Sequence, residues 1–177
     1  KLTLANFMTE AIRNVVRSEV LNPRRSAGKV YRRPRIFDDL LSSQPLCFNL
    51  FGELQLDLEH ASRVFSRLLG RSELVVTAIE FEYSPGRSDP RFTSDRSALD
   101  VFVAYRWANE PGFVGIEVKY AENLAVEPAR HRDRYDEVAK AMGCSLPGSP
   151  TVVPGPLQQF WRDHLLAGSL VLDEASD

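Results

Sequence analysis

Three residues on two neighbouring segments carry side chains that suit the cleavage of a phosphodiester bond. Asp100 lies in the run LDVFVAYRW, and Glu117 and Lys119 are two residues apart in the following run VGIEVKY. Carboxylate and carbonyl oxygens are the ligands that Mg²⁺ prefers, and Mn²⁺ accepts the same donors. A bound cation lowers the pKa of an attacking water, and a neighbouring ammonium offsets negative charge in the transition state. We therefore expect Asp100, Glu117 and the main-chain carbonyl of Val118 to bind Mg²⁺, and Lys119 to act in catalysis.

The two runs predict a β-hairpin that brings these residues together. Apolar residues alternate with polar ones in both runs, at Leu99, Val101, Val103, Tyr105 and Trp107 and at Val114, Ile116, Val118 and Tyr120. Residues 109–112, with Pro and Gly, indicate the turn between them. If both apolar sets face the core, antiparallel pairing places Asp100 on the same face as Glu117 and Lys119, because a slip of one residue would turn a strand over.

Helices are predicted before this hairpin. Residues 3–20 have helical apolar spacing, with Thr3 as a possible N-cap. Residues 36–51 indicate one or two short helices interrupted at a proline. Residues 57–69 form a second amphipathic pattern, which Gly70 ends.

The predicted sheet and the last helices complete the order of elements. Residues 73–83 are rich in β-branched and aromatic residues and indicate a strand. The predicted elements that follow the hairpin are a helix over 127–142, a loop over 143–156 and a helix over 157–166. The simplest architecture is α/β, with a central mixed β-sheet and an antiparallel catalytic hairpin flanked by helices.

Length and composition favour one soluble domain. The chain has 177 residues, of which 44% are hydrophobic and 26% charged, and no run is apolar and long enough for a bilayer. Cys47 and Cys144 give neither a disulfide framework nor a zinc signature, so we expect a cytoplasmic protein. The expected domain covers residues 1–177, with an N-terminal helix and basic arm (1–35), a catalytic core (36–143) and a C-terminal loop and helix (144–177).

Positive charge is concentrated near the N-terminus. Residues 1–35 carry nine basic and two acidic side chains, although the net charge of the chain is -2. The basic segment, residues 22–35, contains six of them: Arg24, Arg25, Lys29, Arg32, Arg33 and Arg35. One interpretation is a loop that contacts nucleic-acid phosphates, and the other is a solvated loop in an arginine-rich chain.

The hairpin and its flanking segments resemble the PD-(D/E)XK nuclease superfamily, which includes type II restriction endonucleases. Asp100 followed by Glu117-Val118-Lys119 is similar to the motif of that superfamily, although Ala98-Leu99 stands where a proline would precede the aspartate. The wider sequence resembles a restriction-endonuclease-like branch of prokaryotic proteins. The similar stretches are LLSSQPLCFNLFGEL (40–54), EFEYSPGR (80–87), SDRSALDVFV (94–103) and EVKYAENL (117–124).

The resemblance implies a restriction-endonuclease-like fold, Mg²⁺ dependence and DNA as the substrate. It assigns metal binding to Asp100 and Glu117 and catalysis to Lys119. Members often carry a further acidic residue, for which Glu53, Glu59, Glu80 and Glu82 are candidates. Gln44 and Asn49 could contact metal-bound water or phosphate. For Asp95 and Arg96, a salt bridge that shapes the loop and a phosphate contact are both open.

Other interpretations remain for the whole chain. Asp100, Glu117 and Lys119 could be the solvated polar face of an amphipathic hairpin. A domain with the nuclease fold could bind nucleic acid, or serve as a scaffold, without cleaving it. A third alternative is a hydrolase of another phosphate ester. Double-strand cleavage would normally need two such sites, so a homodimer is expected for an endonuclease that cuts both strands.

Overall fold

The structure, a computed structural model, describes residues 3–121, 130–144 and 158–174. Its α-helices are α1 (Glu10–Val16), α2 (Arg35–Asp38), α3 (Ser43–Leu56), α4 (Leu58–Leu69), α5 (Asp133–Ala141) and α6 (Gln158–Glu174), and a π-helical segment, Arg17–Leu21, directly follows α1. Its strands are β1 (Val75–Tyr83), β2 (Leu99–Trp107) and β3 (Glu110–Ile116). The predicted helix start at 127–129 and most of the predicted loop over 143–156 lie outside the described residues. No helix in the described ranges combines the length and apolar character that crossing a bilayer requires.

The three strands form one sheet in the order β1-β2-β3, and both pairings are antiparallel. Val101 pairs with Ile116 and Val103 with Val114, which is the predicted register of the hairpin. The α/β fold with helices flanking the sheet is therefore confirmed, while the sheet formed by the described residues is wholly antiparallel rather than mixed.

The prediction of the hairpin turn at residues 109–112 was wrong by two residues. The loop is Ala108-Asn109, and residues 110–112 already belong to β3. Both loop residues have positive φ, 50° and 68°, as a two-residue turn of type I′ requires. This turn matches the twist of the strands. The proline and glycine after it are accommodated because β3 is at the edge of the sheet formed by the described strands.

Helices α1, α3 and α4 contribute to the hydrophobic core on one face of this sheet. Its members include Ile12, Phe48 and Phe65 from the helices and Val101 and Val103 from β2. Helix α4 begins and ends as its sequence predicts. Its Asp57 side chain accepts a hydrogen bond from the main-chain N–H of His60, and Gly70 ends the helix in the left-handed conformation.

The first helix begins later than its apolar spacing indicates, although helical structure continues through the π-helical segment to Leu21, close to the predicted end at residue 20. It begins at Glu10 with Thr9 as the N-cap, so the prediction of Thr3 in that role was wrong. Leu4 and Phe7 are buried, as helical spacing predicts, but both lie in the irregular segment that precedes the helix. The side chain of Asn49 holds this segment, accepting from the main-chain N–H of Met8 and donating to the carbonyl of Asn6.

The chain divides into two compact units. The first contains the described parts of Lys1–Tyr83 and Leu99–Glu122, which include the sheet and α1–α4. The second contains the described parts of Ser84–Ala98 and Asn123–Asp177, which include α5 and α6. The single domain expected over residues 1–177 stays a prediction.

The second unit is organised around a buried carboxylate, that of Asp95. It accepts hydrogen bonds from the hydroxyls of Thr93, Ser97 and Tyr135, from the main-chain N–H of Ser97, and from the guanidinium of Arg162, at 2.6–2.9 Å. The Arg162 contact is also an ion pair, so of the two interpretations left open for Asp95 the structure has the salt bridge, with Arg162 as the partner. Burial alone would raise the pKa of Asp95, but these donors lower it to about 2.

Candidate active site

Asp100 lies at the beginning of β2 and is held through both its side chain and its main chain. Its Oδ2 accepts a hydrogen bond of 2.8 Å from the main-chain N–H of Val118. Its main-chain carbonyl accepts a longer one, 3.6 Å, from the Sγ of Cys47 on α3. The first contact joins the two arms of the hairpin beyond the last strand pair, and the second joins β2 to the helical layer.

Glu117 and Lys119 directly follow β3 and keep its alternation. Val118 is 6% exposed and belongs to the hydrophobic core, so its neighbours face the other way. The Nζ of Lys119 donates to Oε1 of Glu117 as an ion pair. The Glu117 side chain is only 8% exposed, and that of Lys119 is 23% exposed. The structure therefore brings Asp100, Glu117 and Lys119 together, as the hairpin register predicts.

The electrostatics of this group are unfavourable for a second negative charge. Burial and the neighbouring carboxylate of Asp100 raise the pKa of Glu117 to about 7, against the opposing effect of Lys119. Burial also raises the pKa of the Cys47 thiol, with the charges of Asp100, Glu82 and Glu117 adding to the effect. One ammonium thus does not fully compensate the two adjacent carboxylates.

The donor set fits a divalent cation of the Mg²⁺ type. Two carboxylates in contact, which burial and mutual repulsion disfavour as a doubly charged pair, are stabilised by a cation between them. Within the described ranges, no group of three or more His, Cys, Asp and Glu side chains has an arrangement that could hold a metal ion. A cation at Asp100 and Glu117 would thus depend on main-chain oxygens, water and substrate for its other ligands.

Glu82 is the supporting candidate that the structure places nearest to this group. It lies on β1 opposite Asp100, because its neighbours Phe81 and Tyr83 pair with Val101 and Leu99. Its φ of 50° is in the left-handed region, which is strained for a glutamate within a strand and locally redirects the chain. Its charge also contributes to the raised pKa of Cys47. Glu80, by contrast, is exposed.

The other supporting candidates make hydrogen bonds elsewhere in the described structure. Both amide atoms of Gln44 bind main chain, its Oε1 accepting from Arg32 and its Nε2 donating to Val30. Asn49 holds the N-terminal segment, as described above. Glu53 accepts from the Thr9 hydroxyl and Glu59 pairs with an arginine one turn later. The structure does not join these side chains to Asp100, Glu117 or Lys119.

The basic segment makes many internal contacts. Arg25 and Lys29 form ion pairs with Glu19, which is 1% exposed, and burial of this carboxylate is offset by these partners, so that its pKa is lowered. Arg33 donates to a main-chain carbonyl, and Arg35 pairs with Asp39.

Three of the predicted phosphate-binding arginines are exposed and make no side-chain hydrogen bond or ion pair within the described residues. They are Arg24, Arg32 and Arg96. Arg32 takes part only through its main chain, whose N–H donates to Gln44 and whose carbonyl accepts from the N–H of Ile36. The main-chain carbonyl of Arg96 accepts from Arg87. The charge of the basic segment is therefore divided between an internal role and an exposed one.

Sequence reasoning missed the contact of Cys47 with Asp100 and the contacts of Arg162 and Tyr135 with Asp95. These partners are separated by 53, 67 and 40 residues. No motif or spacing in the chain connects them.

Comparison with models of known protein families matches the whole chain, residues 1–177, to the PD-(D/E)XK nuclease superfamily. Neither a curated protein nor a solved structure matches the chain.

Proposed function

Because the chain belongs to the PD-(D/E)XK nuclease superfamily, we propose that it is a metal-dependent endonuclease that hydrolyses DNA phosphodiester bonds. Membership indicates a nuclease with a nucleic-acid substrate, and the choice of DNA and of internal cleavage is part of the proposal. One observation carries it: a nearly buried carboxylate contacts a second carboxylate and a lysine at the end of the hairpin. Such a group is unfavourable as a structural element and suits catalysis.

Asp100 and Glu117 would hold Mg²⁺ or Mn²⁺, with the main-chain carbonyl of Val118 as a third ligand. When bound, the cation supplies an activated water at neutral pH and neutralises charge on the scissile phosphate. The hydrogen bond from the Val118 N–H fixes one oxygen of Asp100, and the carboxylate lies beside that of Glu117. Glu82, opposite Asp100, is proposed to orient water or add negative charge there.

Lys119 would act on the attacking water and on the transition state. Its ammonium is already beside Glu117, so the charge that stabilises the pentacovalent phosphate needs little rearrangement. Its side chain is partly exposed, which lets it reach a substrate group while staying next to the carboxylates. Arg24, Arg32 and Arg96 are proposed to contact the DNA backbone, because their guanidinium groups are exposed and not engaged internally.

The test is cleavage of closed circular DNA, which offers no ends to an exonuclease. Supercoiled plasmid and circular single-stranded DNA are incubated with the protein in Mg²⁺, in Mn²⁺ and in chelator. We expect cleavage that requires the cation and is lost in Lys119→Met and Asp100→Asn. Lys140→Met is the matched control, because Lys140 is exposed on α5 and the same charge is removed. Absence of cleavage by the wild type with either cation, or equal cleavage by all variants, contradicts the proposal.

A further inference from the structure

Cys47 is buried directly beneath the proposed catalytic aspartate. It lies on α3, is 4% exposed and belongs to the hydrophobic core on the helical face of the sheet. Its Sγ donates to the main-chain carbonyl of Asp100 across the interface between α3 and β2. The mechanism proposed above assigns no role to this thiol.

Asp100 needs support at this point because the sheet becomes irregular beside it. On one side, the neighbouring β1 residue Glu82 leaves the extended conformation, with a φ of 50°. On the other side, β3 ends at Ile116, which pairs with Val101, so the pairing of β2 with β3 does not extend to Asp100. The carboxylate is held by the Val118 N–H, but that contact fixes the side chain and leaves the main chain to other contacts.

We propose that Cys47 is a positioning residue that holds the main chain of Asp100, and thereby sets the separation of the Asp100 and Glu117 carboxylates. The thiol fixes the carbonyl from the helical layer, and the Val118 N–H fixes the carboxylate from the opposite arm of the hairpin. With both its main chain and its side chain held, the Asp100 carboxylate is kept beside that of Glu117. Outer contacts of this kind orient metal ligands and commonly change metal affinity when they are removed.

The consequence for cation binding rests on the proposed function, but the positioning itself can be measured without any metal. The Val118 amide donates to Asp100, so its hydrogen exchange reports how firmly that residue is held. Cys47→Ala and Cys47→Val remove the donor, the second with little loss of volume, whereas Cys47→Ser keeps a donor. We expect faster exchange of the Val118 amide in the first two variants and near wild-type exchange in the third.

Ser62 provides a matched control on the other side of the helical layer. Its hydroxyl accepts a hydrogen bond from the Val76 N–H, so Ser62→Ala also removes one contact between a helix and a strand. In Ser62→Ala, exchange should increase at Val76 and not at Val118, and the Cys47 variants should show the reverse. Unchanged Val118 exchange in Cys47→Ala and Cys47→Val, or equal acceleration in Cys47→Ser, overturns the inference.

The second readout is the affinity of the metal-free protein for Mn²⁺, measured by calorimetry. Cys47→Ala and Cys47→Val should weaken binding by about tenfold, with Cys47→Ser and Ser62→Ala near the wild type. Wild-type affinity in both donorless variants also overturns the inference. If the Cys47 variants show faster Val118 exchange but the wild-type protein cleaves no DNA, only the proposed function is contradicted. The two failures are therefore distinguishable.

Discussion

Two buried carboxylates, Asp95 and Glu117, lie 22 residues apart in the sequence and are in opposite environments in this fold. Asp95 receives hydrogen bonds from hydroxyls, a main-chain N–H and the guanidinium of Arg162, and its pKa is lowered to about 2. Glu117 has Lys119 beside it but also contacts Asp100, and its pKa is raised to about 7. The first carboxylate is stabilised as an anion by its surroundings, and the second is not.

The difference separates a structural carboxylate from a candidate catalytic one. A buried anion whose oxygens are all engaged has no capacity left for a ligand, and it strengthens the fold. A pair of carboxylates with a single ammonium is a cost to the fold that a bound cation can relieve. Burial alone would not have distinguished Asp95 from Glu117, because both are nearly buried.

The largest expected effect is on cleavage, which should depend on Asp100 and not on Asp95. Asp100→Asn removes a charged ligand, so the rate should fall by about 100- to 1,000-fold or more, because electrostatic stabilisation of the transition state is lost. Asp95→Asn should keep wild-type kcat when rates are normalised to the folded fraction. Initial rates on supercoiled plasmid at saturating Mg²⁺ make the comparison. Strong cleavage by Asp100→Asn would remove the distinction drawn between the two sites.

The next largest effect is on stability, where the substitution of Asp95 should matter most. Asp95→Asn leaves the partly buried Arg162 without its anionic partner and should lower the free energy of unfolding by about 3 kcal/mol. Chemical denaturation at neutral pH in chelator measures it. Asp89→Asn is the control in the same segment, since the Asp89–Arg91 pair is largely exposed and should matter little. Equal stability of Asp95→Asn and the wild type would mean that the Asp95 contacts do not support the fold.

The hairpin and α4 were predictable because their signals are local. Alternation fixes which residues of two adjacent strands share a face, and so the convergence of Asp100 with Glu117 could be deduced before the structure. The limits of α4 follow from the capping residues Asp57 and Gly70, which act within one turn. Local signals misplace an element when tertiary contacts replace it. Leu4 fits helical spacing and is buried, but it lies in the irregular segment before the helix, so the pattern predicted a helix that begins too early.

The partners that decide the role of each carboxylate were not predictable in the same way. Arg162 reaches Asp95 across 67 residues, and Cys47 reaches Asp100 across 53, with no shared periodicity. The basic segment shows the same limit. Its charge allowed phosphate binding as one interpretation, but buried Glu19 engages Arg25 and Lys29. Nothing in the sequence indicates that this carboxylate, six and ten residues away from them, is buried.

The pH dependence of stability should have opposite signs at the two sites. The pKa of Glu117 is raised above its ordinary value of 4.5, so the folded protein binds more protons between that value and about 7. Stability therefore falls as pH rises through this window, because the unfolded chain has already released the proton that the folded protein retains. For Asp95, lowered from 3.8 to about 2, stability is present above pH 3.8 and is lost as pH falls toward 2.

Glu117→Gln isolates the first of these slopes. The variant has no titrating group at this position, so it should lose the decline between pH 4.5 and 7 while it keeps the acid-side decline that Asp95 causes. Denaturation in chelator across both windows provides the measurement, with Asp95→Asn as the reciprocal variant. A wild-type slope in Glu117→Gln would mean that Glu117 is not destabilised as an anion.

The smallest effect concerns the ammonium that partly compensates the pair. Lys119→Met should abolish cleavage but raise the affinity for Mn²⁺ by about threefold to tenfold, because a positive charge beside the site opposes the incoming cation. The measurement is made at about pH 8.5, above the raised pKa of Glu117, so that proton competition is small. Lys140→Met controls for removal of a distant charge. If Lys119 instead helps to assemble the site, affinity will fall in Lys119→Met, and the two carboxylates will have to be regarded as dependent on the lysine for their arrangement.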